Sequence, residues 1–232
     1  MNDYLVYGDV NTSCYGVFIS GAEAYNAPEY DLTFVSVPGR SGDLVINNGR
    51  FKNMAVRYPA FVRDGFTVKR GGFIAAMMRE PGYKKILSTY DPEHFRMGTF
   101  YRATEFQTGP WNRSAKFDLV FDCKPQRFLA SGQTERTLTE SGAIINPTCF
   151  NALPIIRITG AGTVTVNGYA VQTLLSGETV VDSEMQDCYS GTESRNNNVI
   201  VSEFPRLGPG ENVIDIGSGV TSVAIIPRWW EI

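Results

Sequence analysis

The chain is poor in the groups that do chemistry. Its 232 residues contain one histidine, His94, and four cysteines, Cys14, Cys123, Cys149 and Cys188, too widely spread to form a CxxC or a compact metal-ligand set. A lone histidine leaves little for proton shuttling near neutral pH, and no GxSxG elbow accompanies it, so a Ser-His-Asp or Cys-His hydrolase finds little support. His94, flanked by Asp91 and Glu93, reads as a solvated side chain on a polar segment that follows a helix. The cysteines read as small buried hydrophobes. No apolar run is long enough to span a bilayer, and the opening MNDYLVYGDV lacks the basic and apolar regions of a secretory signal. The expectation is a protein made and folded in a reducing cytoplasm. A basic excess is missing too: 21 Lys and Arg stand against 24 Asp and Glu, a net charge of −3, which excludes tight binding of nucleic acid by phosphate neutralisation.

What is present points to sheets. Hydrophobic residues make up 43% and aromatics 12%, with 23 Gly and 12 Pro to cut the chain into short elements. The length suits one large or two small domains, each able to bury a core without metal or disulfide staples. YGVFISG (Tyr15 to Gly21) reads as a first strand stopped by glycine. In TFVSVPGRSGDLVINNGRFKN, Phe34, Val35 and Val37 precede a Pro-Gly turn. Leu44 to Ile46 precede a second turn at Asn47, Asn48 and Gly49, so two projecting arms are expected. MAVRYPAF (Met54 to Phe61) continues as a strand, with Pro59 marking a sheet edge or an exit. Gly71 to Tyr90 is the best helical stretch, its stripe of Phe73, Ile74, Met77 and Met78 facing a sheet, and Pro81 and Gly82 break or restart it. GTFYRATEFQ and AKFDLVF then form a hairpin about a loop from Thr108 to Ser114, with Phe117, Leu119 and Phe121 on one face and Lys116 and Asp118 on the other.

Residues 130–145 are polar and read as a connector with room for one strand. Beyond it, GTVTVNGYAV predicts a two-residue Asn167-Gly168 turn that pairs Val166 with Tyr169 and Val164 with Val171, all on one face. ENVIDIGSGVTSVAII reads as a second hairpin about Gly217 to Gly219, with Ile214 and Ile216 sharing a face with Thr221, Val223 and Ile225. Trp229 is in phase with Val223 and Ile225 and belongs to the core, which leaves Trp230 for a second surface such as a domain or subunit contact, unless Pro227 introduces a bulge that swaps them.

Three strings invite a chemical reading. Asp182, Glu184 and Asp187 in VVDSEMQD could serve a glycosidase, although their separation is not fixed by sequence, and they lack the calcium-loop pattern. GAGTVTVNG has glycines but neither GKS/T nor a following helix, so it does not cradle phosphate. Tyr189 or Trp230 could stack on a sugar ring, the basis of an alternative reading as a carbohydrate-binding adhesion module. No cofactor or metal is implied by any of these.

Read in order, YGVFISG, VPGRSGDLVINNGRFKN, MREPGYKKI, HFRMGTF, FDCKPQRFL, NPTCFNALPIIRITGAG, QDCYSG, LGPGENVIDI and the terminal PRWWEI cover nearly the whole chain. Together they resemble the distal tail protein family of siphophages and prophages, especially those of Gram-positive hosts. The resemblance implies a mainly β, non-enzymatic chain of two β-sandwich domains. Residues 1–129 would be the ring-forming domain, tail-tube-like with a short flanking helix and a projecting hairpin; 130–145 the connector; and 146–232 a galectin-like sandwich on the ring periphery. It further implies a homohexameric ring at the virion tail tip, assembled in the bacterial host cytoplasm and joining the tail-tube protein to the tail-tip hub. In some relatives such a ring carries receptor-binding proteins. This chain looks compact, without the large carbohydrate-binding insertions of some relatives. A ring of identical subunits needs head-to-tail contacts that close, and the segment around Arg40 to Asn53 is the candidate interface. It mixes the charged Arg40, Asp43, Arg50 and Lys52 with the apolar Leu44, Ile46 and Phe51. A mildly acidic chain also suits a channel through which DNA passes unbound.

Overall fold

The computed structural model describes residues 2–20, 27–102 and 104–232; Gly21, the expected stop of the first strand, lies outside them. The chain is mainly β and divides into two compact units, Met1–Arg127 with Ile232, and Phe128–Glu231.

The first unit holds β1 (Leu5–Tyr7), β2 (Val10–Asn11), β3 (Val17–Ile19), β4 (Tyr30–Val35), β5 (Leu44–Phe51), β6 (Met54–Val62), helix α1 (Phe66–Met78), β7 (Lys84–Ser88), β8 (Asp91–Thr99), β9 (Gln107–Thr108) and most of β10 (Ala115–Leu129). Its main sheet runs β2-β1-β7-β8-β10-β6-β3. The centre is the pairing of β10 with β6, in unbroken antiparallel register from Ala115 opposite Val62 to Cys123 opposite Met54. Strict alternation drives it: Phe117, Leu119 and Phe121 are buried together with Val56, Tyr58 and Ala60, while Lys116 is exposed and Asp118 lies on the outer face with it.

Three local expectations change here. Pro59 lies in an interior strand, not at an edge. In an antiparallel strand the N–H and C=O of one residue face the same neighbour, and the Pro59 carbonyl accepts from Ser20 N (2.7 Å), so its missing donor faces the end of β3 and leaves the β10 ladder intact. The helix begins earlier than the apolar stripe suggests, because Gly65 adopts φ 75° and Phe66 N is bonded to Arg113 O (3.0 Å). It buries Phe66, Phe73 and Met77 and leaves Met78 half exposed. Past Pro81 and Gly82 the chain restarts as β7, since Ile86 in KKILS alternates inward between β1 and β8. The expected hairpin about Thr108 to Ser114 forms, but its first arm is short: β9 pairs with β10 through Gln107 and Thr108.

The second unit contains β11 (Arg136–Leu138), β12 (Gly142–Asn146), β13 (Ile155–Gly160), β14 (Gly162–Val166), β15 (Tyr169–Thr173), β16 (Glu178–Asp182), β17 (Asp187–Ser190), β18 (Glu193–Ser194), β19 (Val199–Val201), β20 (Gly210–Ile216), β21 (Val220–Ile226) and β22 (Trp230–Glu231). The first eleven of these make a six-stranded sheet, β11-β21-β13-β16-β17-β18, and a five-stranded sheet, β12-β20-β14-β15-β19. Both supply one core: Ile156, Ile158, Val181, Val223 and Ile225 from the first, Ile144, Val164, Val166, Val171 and Ile214 from the second, with Trp229 wholly buried among them.

The Asn167-Gly168 hairpin has the expected register and positive φ at both turn residues, 49° and 87°. The second expected hairpin does not form. β20 pairs with β12 and β14, β21 with β11 and β13, so Gly217 to Gly219 carry the chain from one sheet to the other. Ile214 and Val223 still meet in one core, but from opposite sheets. The crossing demands glycine: a Cβ on Gly219 would lie 2.1 Å from Ala161 O, and one on Gly160 2.3 Å from Gly219 O. That close approach is what Gly160 and Gly162 of GAGTVTVNG serve. The expected connector, residues 130–145, is integral to this unit: β11 and β12 are edge strands of the two sheets, and Gly132 lies so close to the Trp229 backbone that a Cβ would reach 2.4 Å from its nitrogen. Its polarity misled because edge strands bury only one side in part.

Charge divides with the units. Residues 1–127 carry 16 Lys and Arg against 13 acids, whereas 128–231 carry five Arg, no Lys and 11 acids. The chain's mild acidity therefore belongs to the second unit, and the argument that its overall charge suits a DNA channel does not apply to the first.

Candidate subunit interface

One element of the first unit stands apart from its sheet. Among the described residues β4 and β5 pair only with each other, with Val35 opposite Leu44, Phe34 opposite Val45, Thr33 opposite Ile46 and Leu32 opposite Asn47. There is one arm, not two. The turn lies between Val35 and Leu44, and the Asn47-Asn48-Gly49 string is a bulge inside β5, where the register jumps from Leu32–Asn47 to Tyr30–Phe51. Gly49 takes φ 73°, and its N–H is capped by Asn47 Oδ1 at 2.8 Å, so the residues read as a turn do bend the chain without reversing it.

The seven candidate residues separate into two groups. Arg50, Phe51 and Lys52 close the base of the arm: Arg50 Nε donates to Asp31 Oδ2 (2.7 Å), Phe51 stacks on Tyr30 (ring centroids 4.4 Å apart), and Lys52 N donates to Glu29 O (2.8 Å). The hydrogen bonds from Arg50 and then Asn48 hold the Asp31 carboxyl below its ordinary range. Arg40 and Asp43 sit exposed in the turn, and Leu44 and Ile46 on the outer strand, 43% and 45% exposed. Sequence reasoning left out Phe34, Val35 and Val45, which are 62%, 40% and 52% exposed. Their register puts Phe34 and Val45 on the face opposite Leu44 and Ile46, so the arm is apolar on both sides. An isolated two-stranded hairpin is marginal in water, and one that shows apolar side chains on both faces and two open edges gains most by being covered.

The other candidates resolve into structural roles. Trp230 stacks on Phe150 (4.4 Å, 21°) and its Nε1 donates to Asn151 O (2.9 Å), a contact within its own unit. Tyr189 is half buried on β17, between Val180 and Ser194. Asp182 is buried and pairs with Arg228 through both oxygens (2.8 and 2.9 Å), while accepting from the amides of Glu184 and Met185. Burial raises its pKa, but Arg228 and the two amides outweigh that and hold it below the ordinary value. Glu184 also leans on Arg228, at 3.4 Å, and Asp187 accepts from Cys188 N and Asn196 Nδ2. A carboxylate committed to a guanidinium and two amides is not available as nucleophile or acid. His94 is on strand β8, not a solvated segment; its Nδ1 is 2.9 Å from Asp91 Oδ1, and Arg127 bonds the other oxygen. Together with Ser88, these three side chains line a cavity of about 10 Å³, too small for a substrate. Among the described residues no three His, Cys, Asp or Glu side chains gather to hold a metal ion.

Comparison with solved structures decides the fold. The crystal structure of the SPP1 Dit protein, described as a paradigm of the hub adsorption apparatus in phages infecting Gram-positive bacteria, superposes over 97% of this chain and 98% of that one, with a TM-score of 0.72 at 13% identity. This chain has the Dit fold. A chain of the phage p2 baseplate, in its activated conformation with strontium, matches over 96% of this chain and 97% of its own length, with a TM-score of 0.50 and 6% identity. No family model and no curated protein matches the sequence. The resemblance to distal tail proteins therefore holds at the level of three-dimensional structure, with both units of the chain included.

Proposed function

We propose that this protein is a non-enzymatic distal tail protein of a long-tailed phage, which closes into a ring at the tail tip and joins the tail tube to the hub. The observation that carries this reading is the end-to-end match to the Dit fold. The arm supports it, because Leu44, Ile46, Phe34, Val35 and Val45 are poorly covered by their own chain. In this reading the arm, with Arg40 and Asp43 at its turn, grips the neighbouring subunit, and the contact is heterologous, so it repeats around the ring until it closes. The family resemblance sets the number at six. The first unit forms the ring through which DNA passes; the second, with two sheets over one core, is the galectin-like β-sandwich on the periphery, where receptor-binding or baseplate proteins attach. Trp230, the candidate domain or subunit contact, stacks on Phe150 within the second unit and remains only half-buried. That engagement also removes one of the two stacking platforms of the carbohydrate-binding alternative, and no feature of the second unit favours it.

Light scattering on the full chain tests the proposal. A particle six times the chain mass is expected, alone or upon addition of a tail-tube or hub partner; a monomer under all these conditions contradicts it.

A further inference from the structure

A second exposed feature of the first unit lies outside the β4–β5 arm, in the loop after β9. The loop 109–114 is fastened to the start of α1 by Phe66 N to Arg113 O (3.0 Å), by Thr67 Oγ1 to Asn112 O (2.8 Å) and by a bidentate pair of Arg113 with Asp64 (2.9 and 3.3 Å). Held there, the loop presents Trp111 with 91% of its surface exposed, beside a helix start whose Val68 is 87% exposed. Trp111 and Asn112 both take positive φ, 59° and 52°, a region that Asn tolerates but an aromatic side chain rarely adopts. An indole held in water on a strained, fastened backbone contributes nothing to folding. Its surroundings are basic: residues 63–70 and 109–116 include Arg63, Lys69, Arg70, Arg113 and Lys116 against the single acid Asp64.

The complementary character occurs on the five-stranded sheet of the second unit. Its strands contain no Lys or Arg. The register sets Ala143 beside Val213 and Ile145 beside Glu211, so that Ile145 (66% exposed) and Val213 (48%) share the outward face with Glu211 and Asp215. We infer that the Trp111 corner of one copy docks on this β12–β20 face of a second copy, the indole and Val68 covering Ile145 and Val213 while Arg70 and Lys116 face Glu211 and Asp215. The inference rests on the ring-forming reading and adds a contact separate from the arm. Charge selects the pairing, since two basic corners or two acidic faces repel, and Trp and Arg are the residues that most often anchor protein contacts. Joining unlike surfaces, the contact propagates head to tail, as a ring requires.

Sedimentation velocity of the full chain tests it with four variants at exposed positions: Trp111→Ser, Arg70→Glu/Lys116→Glu, Glu211→Lys/Asp215→Lys, and the two charge changes combined, each checked for fold by circular dichroism. The first three weaken self-association about tenfold or more, and the combination restores it to within about threefold of the parent. Association unchanged in all four, with Leu44→Asp/Ile46→Asp still giving monomers, overturns this contact and leaves the ring reading standing. A chain monomeric in every form, also with a tail-tube or hub partner added, removes both.

Discussion

Two hairpins in this chain start from the same chemistry and end in opposite conditions. In β14–β15, Val164, Val166 and Val171 are at most 1% exposed, because a second sheet closes over them. In β4–β5, Leu44, Val45 and Ile46 remain 43 to 52% exposed, and among the described residues no other strand pairs with either edge. Similar β-branched and aliphatic residues in similar registers thus serve two purposes. The first hairpin completes its own domain, and the second, in the proposed ring, offers its apolar surface to another subunit. Under the proposed structural role, the contact surface is located by asking which sheet surfaces are left unfinished.

The comparison is sharpest where the closed unit is broken. Trp229→Ala removes the largest wholly buried side chain and is expected to cost about 3–5 kcal/mol, read by denaturant unfolding of the second unit. Little or no loss would mean that the core of this unit is not the continuous one described. Next in size is the pair beneath it. Arg228→Ala leaves the buried Asp182 carboxylate without its cation, at a cost of about 3 kcal/mol at neutral pH. The folded Asp182 titrates below the ordinary 3.8, so the stability it lends is complete above that value and is lost as pH falls through the lower folded pKa. The gap between the parent and Arg228→Ala should therefore be widest at neutral pH and narrow in acid. A gap independent of pH would assign the effect to packing alone. The smallest expected effect lies in the arm: Leu44→Ala with Ile46→Ala should change the stability of the monomer by less than about 0.5 kcal/mol, because those side chains touch little of their own chain. A loss comparable to that in the core would make the arm part of the folded unit.

Much of this was legible in the residues. The β10 strand, the Asn167-Gly168 hairpin and the burial of Trp229 follow from strict alternation and from a two-residue turn that fixes its own register. What was not legible depended on contacts distant in sequence. Gly217 to Gly219 suit a hairpin as well as a crossing between sheets, and only the backbone of Ala161 and Thr163 close by decides between them. The start of α1 is set by Arg113, 47 positions beyond Phe66, and the edge strands β11 and β12 were hidden by their polarity. In the arm, Leu44, Ile46, Arg40 and Asp43 were picked for mixing charge with apolar surface, but the bulge at Asn47 to Gly49 turned two arms into one and brought Phe34 and Val45 to its other face. Nothing in TGPWNR marks Trp111 as exposed, since its position is set by hydrogen bonds to the helix.

The most direct measurement is the mass of the full chain by sedimentation velocity across a wide concentration range, for the parent and for Leu44→Asp/Ile46→Asp. The parent should reach a closed oligomer while the arm variant stays a folded monomer with an unchanged melting temperature. An arm variant that assembles as well as the parent would show that the uncovered hairpin is not what joins the subunits.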